Sequence, residues 1–218
     1  NFLDKQFTFT KKCVIIYSME LNFEQYLAES NKGLTIFDID DTMFTTDARV
    51  QVKAGNKVVK VLTPQEFNKY KLKKGEYYDY GQFKSSKIFY KTAIPIGRMI
   101  AKAKAIIKNA TKAGSKVIIV TARADMDDRD LFIRTFEENG IPMDKVYVER
   151  AGNMSNKSSA AAKQIIFRKY LQTEKYARIR LFDDHKENLD ALLDLKREFP
   201  HVSFEAYLVN KTGKVKKI

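Results

Sequence analysis

The run LTIFDIDDTMF, Leu34 to Phe44, delivers three aspartates, Asp38, Asp40 and Asp41, at the end of an apolar stretch, with Thr42 directly after them. A second pair, Asp183 and Asp184, closes another apolar run in RLFDD. Carboxylates crowded beside apolar chain repel one another and lose hydration, so something cationic must balance them. Neither histidine nor the single cysteine lies inside these two runs, and an all-oxygen donor set suits a hard ion such as Mg²⁺. A carboxylate next to such an ion can attack phosphorus and form an aspartyl-phosphate. A second carboxylate two residues on can protonate the leaving alkoxide and later activate water. Thr121, at the end of SKVIIVTAR, can hydrogen-bond a phosphoryl oxygen, and a lysine can neutralise the developing charge.

These residues are far apart in sequence, so the elements between them must bring them together. LTIFD, SKVIIVTAR, DKVYVER, ARIRLFDD and SFEAYLVN read as strands. IGRMIAKAKAIIKNATKAG, DMDDRDLFIRTFEENG, SSAAAKQIIFRKYL and KENLDALLDLKREFP read as the helices between them. Such alternation predicts an α/β fold with a mostly parallel sheet and helices on both faces. Ligands bind at the carboxyl ends of the strands in sheets of this kind. Asp38, Asp40, Thr121, Asp183 and Asp184 all fall at those ends.

The segment between the first aspartates and the helix at Ile96 has its own character. RVQVKAGNKVVKVL reads as a hairpin turning at AGN, TPQEFNKYKL as a helix capped by Thr63 with Pro64 at its first position, and YYDYGQFKSSKIFYKTAIP as loop plus a short strand. From Arg49 to Lys116 there are 17 basic residues against three acidic ones, Glu66, Glu76 and Asp79, which leaves +14. The whole chain carries +13, so the remainder is near neutral. Lysines interleaved with Phe67, Tyr70, Tyr77, Tyr78, Tyr80, Phe83, Phe89 and Tyr90 suit a polyanion with stackable bases. Most of those aromatics are expected to form a small core of their own, with one or two of the tyrosines left for stacking.

FDIDDT, VIIVTAR, a downstream lysine and RLFDDHKEN occur in the order of the four motifs of the haloacid dehalogenase (HAD) superfamily of phosphohydrolases, and residues 34–210 resemble that family. The resemblance implies a Rossmann-like core over 34–42 and 94–218, and a small basic cap or flap over 43–93. It implies that Asp38 is the nucleophile and that Asp40 is the general acid/base, its backbone carbonyl also helping to bind Mg²⁺. It places Thr42 in support of the first motif's loop, Thr121 on the phosphoryl group, and Asp183 and Asp184 at the metal, leaving open which of the two is inner-sphere. The third-motif lysine is Lys163, with Lys157 as the alternative, since spacing fits both. Arg123 either steers substrate phosphate or pairs with Asp125, Asp127 or Asp128. Asp41 is expected to be a neighbour, and His185 to pack against or cap the helix that follows it.

The outline is also similar to the phosphatase domain of bacteriophage polynucleotide kinase-phosphatases and to stand-alone phage members of the superfamily. The kinase signature GxxxxGK[ST] does not occur in this sequence. The resemblance implies an Mg²⁺-dependent phosphatase acting on nucleotides or on nucleic-acid 3′-phosphate ends. A HAD-fold nucleic-acid-binding or virion-associated protein with little turnover, and a small-metabolite phosphatase, are the alternatives.

Composition sets the outer bounds. In 218 residues, 44% of them apolar, there is material for one sizeable α/β domain with an insertion. The apolar runs are too short to span a membrane. One cysteine, Cys13, fits a reducing compartment, the cytoplasm, of the host cell if the chain is phage-encoded. Residues 1–33 read as an appendage with a short amphipathic helix in LNFEQYLAES. Met19 reads as a natural start, which makes residues 1–18 an extension.

Overall fold

The computed structural model describes residues 32–218 apart from Asn68, residues 111–113 and Ser155. The helix expected in LNFEQYLAES lies outside the described residues. In chain order the first elements are β1 (Gly33–Phe37), β2 (Phe44–Thr45), β3 (Val50–Ala54), β4 (Lys57–Leu62), α1 (Pro64–Phe67) and β5 (Glu76–Asp79). Next come α2 (Gly81–Lys84), α3 (Ser86–Thr92), β6 (Ile94–Pro95), α4 (Gly97–Ala110), β7 (Lys116–Thr121) and α5 (Arg129–Glu138). The chain closes with β8 (Val146–Arg150), α6 (Ser159–Leu171), β9 (Arg178–Asp183), α7 (Lys186–Leu193), β10 (Ser203–Val209) and β11 (Val215–Lys217).

Six strands form the central sheet in the order β11-β10-β9-β1-β7-β8. All neighbours are parallel except β11, which runs antiparallel along one edge. β1 is buried along its whole length, Thr35 included, because helices cover both faces. Leu34 and Ile36 enter the layer beneath α6 and α7, with Phe167, Leu189 and Leu192. Phe37 and Ile39 enter the opposite layer, with Met99, Ile100 and Ile107 of α4 and Phe132 and Phe136 of α5. Met99, Ile100, Ala103 and Ile107 form a buried stripe on α4, with Ile106 and Ala110 partly buried beside it. Asp128 caps α5 by accepting the Leu131 N–H at 2.9 Å, and Ser158 caps α6 through Ala161.

From β1 the chain moves to β7 and β8 on one side, then returns to β9, β10 and β11 on the other. The order therefore reverses at β1, whose carboxyl end opens into the crevice where such sheets hold ligands.

Between β1 and α4 lies the inserted segment. β3 and β4 form the expected hairpin, and β5 adds to it as a third antiparallel strand. The register slips at Val59, because Val52 faces Lys60 while Lys53 faces Val58. The helix expected over TPQEFNKYKL is confined to α1, opened by a reciprocal Thr63–Glu66 capping box. The stretch expected as loop plus strand contains α2 and α3 as well as β5. Ser85 caps α3, and Phe89 sinks among Phe44, Phe132 and Phe136, with ring centroids 5.7, 5.2 and 5.8 Å away. Burial of that ring and of Ser86 fixes a helix whose own periodicity is weak. The segment closes where β2 pairs antiparallel with β6, Phe44 against Pro95 and Thr45 against Ile94. At the other end of the chain, α7 stops at Leu193 and a 3-10 turn over Asp194–Arg197 takes the place of its expected last turn. Among the described residues, no helix is long and apolar enough to cross a membrane.

Candidate metal and phosphoryl-transfer site

Asp38 follows β1 directly, and its N–H donates to the Phe182 carbonyl at 3.0 Å, which carries the ladder one residue past the strand. The chain then folds back on itself. Met43 and Phe44 both donate to the Ile39 carbonyl, Asp41 donates to Phe44, and Asp41 adopts a left-handed backbone with φ 54°. This tight loop sends three nearly consecutive aspartates in different directions. Asp38 is buried, whereas Asp40 and Asp41 are half-buried.

Lys163, on the first turns of α6, reaches the same point from below the sheet. Its Nζ lies 2.7 Å from Asp38 Oδ1 and 2.7 Å from Asp183 Oδ2. Asp183 ends β9 and is fully buried. Its Oδ1 accepts the His185 N–H and the Asn188 amide, both at 2.9 Å, and Asn188 also reaches Oδ2 at 3.0 Å. Asp184 stands beside it and receives the Thr42 hydroxyl at 3.4 Å. Lys157, the other lysine the spacing allows, is exposed.

Oxygens of Asp38, Asp183 and Asp184 all lie within 4.8 Å of one another and could hold a metal ion. Three carboxylates against the one ammonium of Lys163 leave two negative charges, the balance a divalent cation would cancel. The donors are all oxygen, as a hard cation requires. Electrostatics show how unbalanced the cluster is by itself. Burial pushes the Asp38 carboxyl well above the usual range; Lys163 opposes this, while Asp183, Asp184 and Asp40 add to it. Asp184 is pushed up to about 6, by burial first and then by Asp183. Burial pulls Lys163 down, but the Asp183 and Asp38 carboxylates outweigh it and hold the ammonium charged.

Asp40 is not part of this trio, because its carboxylate faces Arg123. The guanidinium donates from Nε to Oδ2 at 2.8 Å and from Nη2 to Oδ1 at 2.7 Å. Arg123 is 2% exposed, and its remaining donors reach the Phe83 carbonyl at 3.0 Å and the Thr46 hydroxyl at 3.2 Å. Its guanidinium carbon lies 5.1 Å from the Phe83 ring centroid and 4.7 Å from that of Phe89. Arg123 therefore pairs with Asp40 and not with Asp125, Asp127 or Asp128. Those three have other partners: Asp125 binds Asn153, Asp127 accepts the Ser86 N–H at 2.7 Å, and the Asp128 carbonyl accepts the Ser86 hydroxyl at 2.5 Å. The inserted segment thus grips the loop after β7 from one side.

Thr121 is buried at the end of β7, and its hydroxyl oxygen accepts the Arg123 N–H at 3.1 Å. His185 occupies the cap position of α7 without a side-chain cap bond; its ring meets Glu187 instead. Asn188 escapes a reading of the sequence, although an asparagine five residues after Asp183 in the first turn of a helix is placed to reach back to that strand end. Phe83 and Phe89 are expected in a small core of the inserted segment, but they enclose Arg123.

Compared with known proteins, the chain matches no protein-family model and no curated protein sequence.

Proposed function

We propose that this chain is a Mg²⁺-dependent phosphomonoester hydrolase of the HAD type, acting on nucleotides or nucleic-acid 3′-phosphate ends. The observation that carries the reading is Lys163 bridging Asp38 and Asp183 at a buried strand end, with Asp184 in range of the same ion. Asp38, Asp183 and Asp184, with the Asp40 carbonyl in support, would hold Mg²⁺, which would supply positive charge to the phosphoryl oxygens.

The chain's own residues do the rest. Asp38 attacks phosphorus, the bond from phosphorus to the alcohol oxygen breaks, and Asp40 passes a proton to that oxygen. Asp40, then a carboxylate, takes a proton from water, which attacks the aspartyl-phosphate, releases phosphate and restores Asp38. The Thr121 hydroxyl donates to a phosphoryl oxygen, held in place by the Arg123 N–H behind it. Lys163 offsets charge that builds up on Asp38 and the phosphoryl group. Arg123 holds both Asp40 oxygens through two hydrogen bonds. Proton donation in the first half requires Asp40 to give up one of them.

In this reading the inserted segment is a small cap. The test is phosphate release from p-nitrophenyl phosphate, mononucleotides and 3′-phosphorylated oligonucleotides with Mg²⁺. Activity that Asp38→Asn abolishes supports the reading, and absence of release from all three sinks it. A second reading, binding without turnover, draws on the inserted sheet. Val58, Val59, Val61 and Tyr77 are exposed there beside the exposed Lys57 and Lys60, a surface that fits a polyanion with stackable bases. Oligonucleotide binding without phosphate release would favour it.

A further inference from the structure

Arg150 ends β8, with its Cα level with Thr121 of β7, one strand spacing of about 4.8 Å away. Its guanidinium carbon lies 4.2 Å from the Phe132 ring centroid. Nη1 is sealed from solvent and finds no hydrogen-bond acceptor, the one buried side-chain nitrogen or oxygen so placed among the described residues. Asp125 is the carboxylate nearest in effect, but it is engaged by Asn153 and forms no ion pair with Arg150. Burial lowers the Arg150 pKa, and Arg123 and Arg129 push it the same way, with Asp125 alone opposing them. The ring contact with Phe132 returns less than a missing charge-assisted hydrogen bond costs. A half-buried cation without a counter-charge is a site that favours an anion.

The backbone around it is built to hold its place. A 3-10 turn, Ala151–Asn153, follows Arg150 directly. A Cβ at Gly152 would stand 2.2 Å from the Ala122 carbonyl oxygen and 2.5 Å from the Ala124 nitrogen, so this turn lies against the loop that carries Arg123. Asn153 fixes the contact by accepting the Asp125 N–H at 3.0 Å and donating to its carboxylate at 3.1 Å. Arg123 and Arg150 also share one aromatic platform. Arg123 lies over Phe89, Phe89 packs 5.2 Å from Phe132, and Arg150 lies over Phe132. One run of contacts thus links Asp40 to Arg150, through Arg123, Phe89 and Phe132.

We propose that Arg150 anchors a second anion subsite, which takes a phosphate or carboxylate carried on the alcohol portion of the substrate. The assignment to the leaving-group side rests on the proposed role of Asp40. A planar guanidinium suits either anion through paired N–H donors. A substrate with two anionic groups, one cleaved and one held, is favoured over its singly charged counterpart.

The test is calorimetric binding to the full chain carrying Asp38→Asn, with Mg²⁺, so that no turnover is needed. The probes are a nucleoside 3′,5′-bisphosphate and the matching 3′-monophosphate. The bisphosphate is expected to bind about tenfold tighter or more, the scale of one charged hydrogen-bonded contact. Arg150→Met removes that preference and Arg150→Lys restores part of it. Thermal melts check folding, and Arg150→Lys carries the comparison if Arg150→Met does not fold. A preference that survives loss of the guanidinium, or no preference at the start, overturns the subsite. A chain that releases no phosphate yet shows the Arg150-dependent preference would refute hydrolysis and keep the subsite.

Discussion

Arg123 and Asp40 meet edge to edge through two hydrogen bonds of 2.8 and 2.7 Å, although 83 residues separate them in the chain. Removing Asp40 leaves a buried guanidinium facing no charge. Asp40→Ala is expected to cost about 2–4 kcal/mol, less than a fully buried pair because the Asp40 side chain is a third exposed. Arg123→Lys keeps the charge and loses the fork. It is expected to slow esters with poor leaving groups more than those with good ones, because proton delivery, the role proposed for Asp40, matters most for the former. Rates across a series of aryl and alkyl phosphates check this, and a uniform loss would count against the positioning role.

The two candidate lysines separate cleanly. Lys163→Gln leaves Asp38 and Asp183 without their shared ammonium, at a cost of about 3–5 kcal/mol, and should abolish phosphate release. Lys157→Gln touches an exposed side chain and should stay within about 0.5 kcal/mol of the parent. Denaturant melts and a phosphate-release assay on the two variants test the pair.

Asp184 gives a pH signature in chelator. Its folded pKa of about 6 is raised above the ordinary aspartate value of 3.8. Its contribution to stability is therefore complete below about pH 4 and is lost as pH rises through 6. Asp184→Asn should stabilise the metal-free protein at pH 7 by about 1–3 kcal/mol and much less at pH 4. Mg²⁺ should stabilise the parent more than the variant. Melts at both pH values, with and without Mg²⁺, decide; equal stability of parent and variant at pH 7 in chelator would contradict the charge imbalance.

Gly152 is a close-approach position. A methyl group there meets three backbone atoms of Ala122–Ala124, and backbone cannot rotate away as a side-chain tip can. Gly152→Ala should push the Ala122–Ala124 loop outward, disturbing Thr121 and Arg123 together. The expected result is a rise in KM with a fall in kcat, beside a stability loss of about 1–3 kcal/mol. Unchanged kinetics would show the loop to be more compliant than the close approach implies.

The exposed lysines of the inserted segment provide a salt-dependent readout. Lys69, Lys71, Lys73 and Lys74 are all exposed. Converting them to Gln should weaken single-stranded oligonucleotide binding and reduce the slope of log K against log salt, by about 0.7 for each phosphate that is no longer neutralised. An unchanged slope would place the polyanion elsewhere.

Much of the site is legible in the residues because the relevant signals are local. Asp38, Asp183 and Thr121 stand where apolar strands run out, and the alternation of strands and helices fixes which ends gather. Lys163 and Lys157 cannot be told apart by spacing, since which turn of α6 faces the sheet depends on packing beneath it. Nearness in sequence points Arg123 toward Asp125, Asp127 and Asp128, and that expectation fails. The actual partner depends on β1 and β7 lying side by side. α3 escapes notice because FKSSKIFYK has little periodicity of its own; Phe89 and the Ser86 bonds to Asp127 and Asp128 secure it. β11 escapes notice because VKK is polar and short, as an edge strand with one open side can be.

The pairing of β2 with β6 means the chain leaves the core and re-enters it one strand spacing away, about 4.8 Å. Such a junction behaves as a socket. What lies between Thr45 and Ile94 can be lengthened, shortened or exchanged without altering the order of the six central strands. The socket has one condition attached. Any replacement must still present a carbonyl and aromatic faces to Arg123, as Phe83 and Phe89 do, or Asp40 loses its orientation. The core thus tolerates variation in the inserted module, provided the few atoms that face Arg123 are kept.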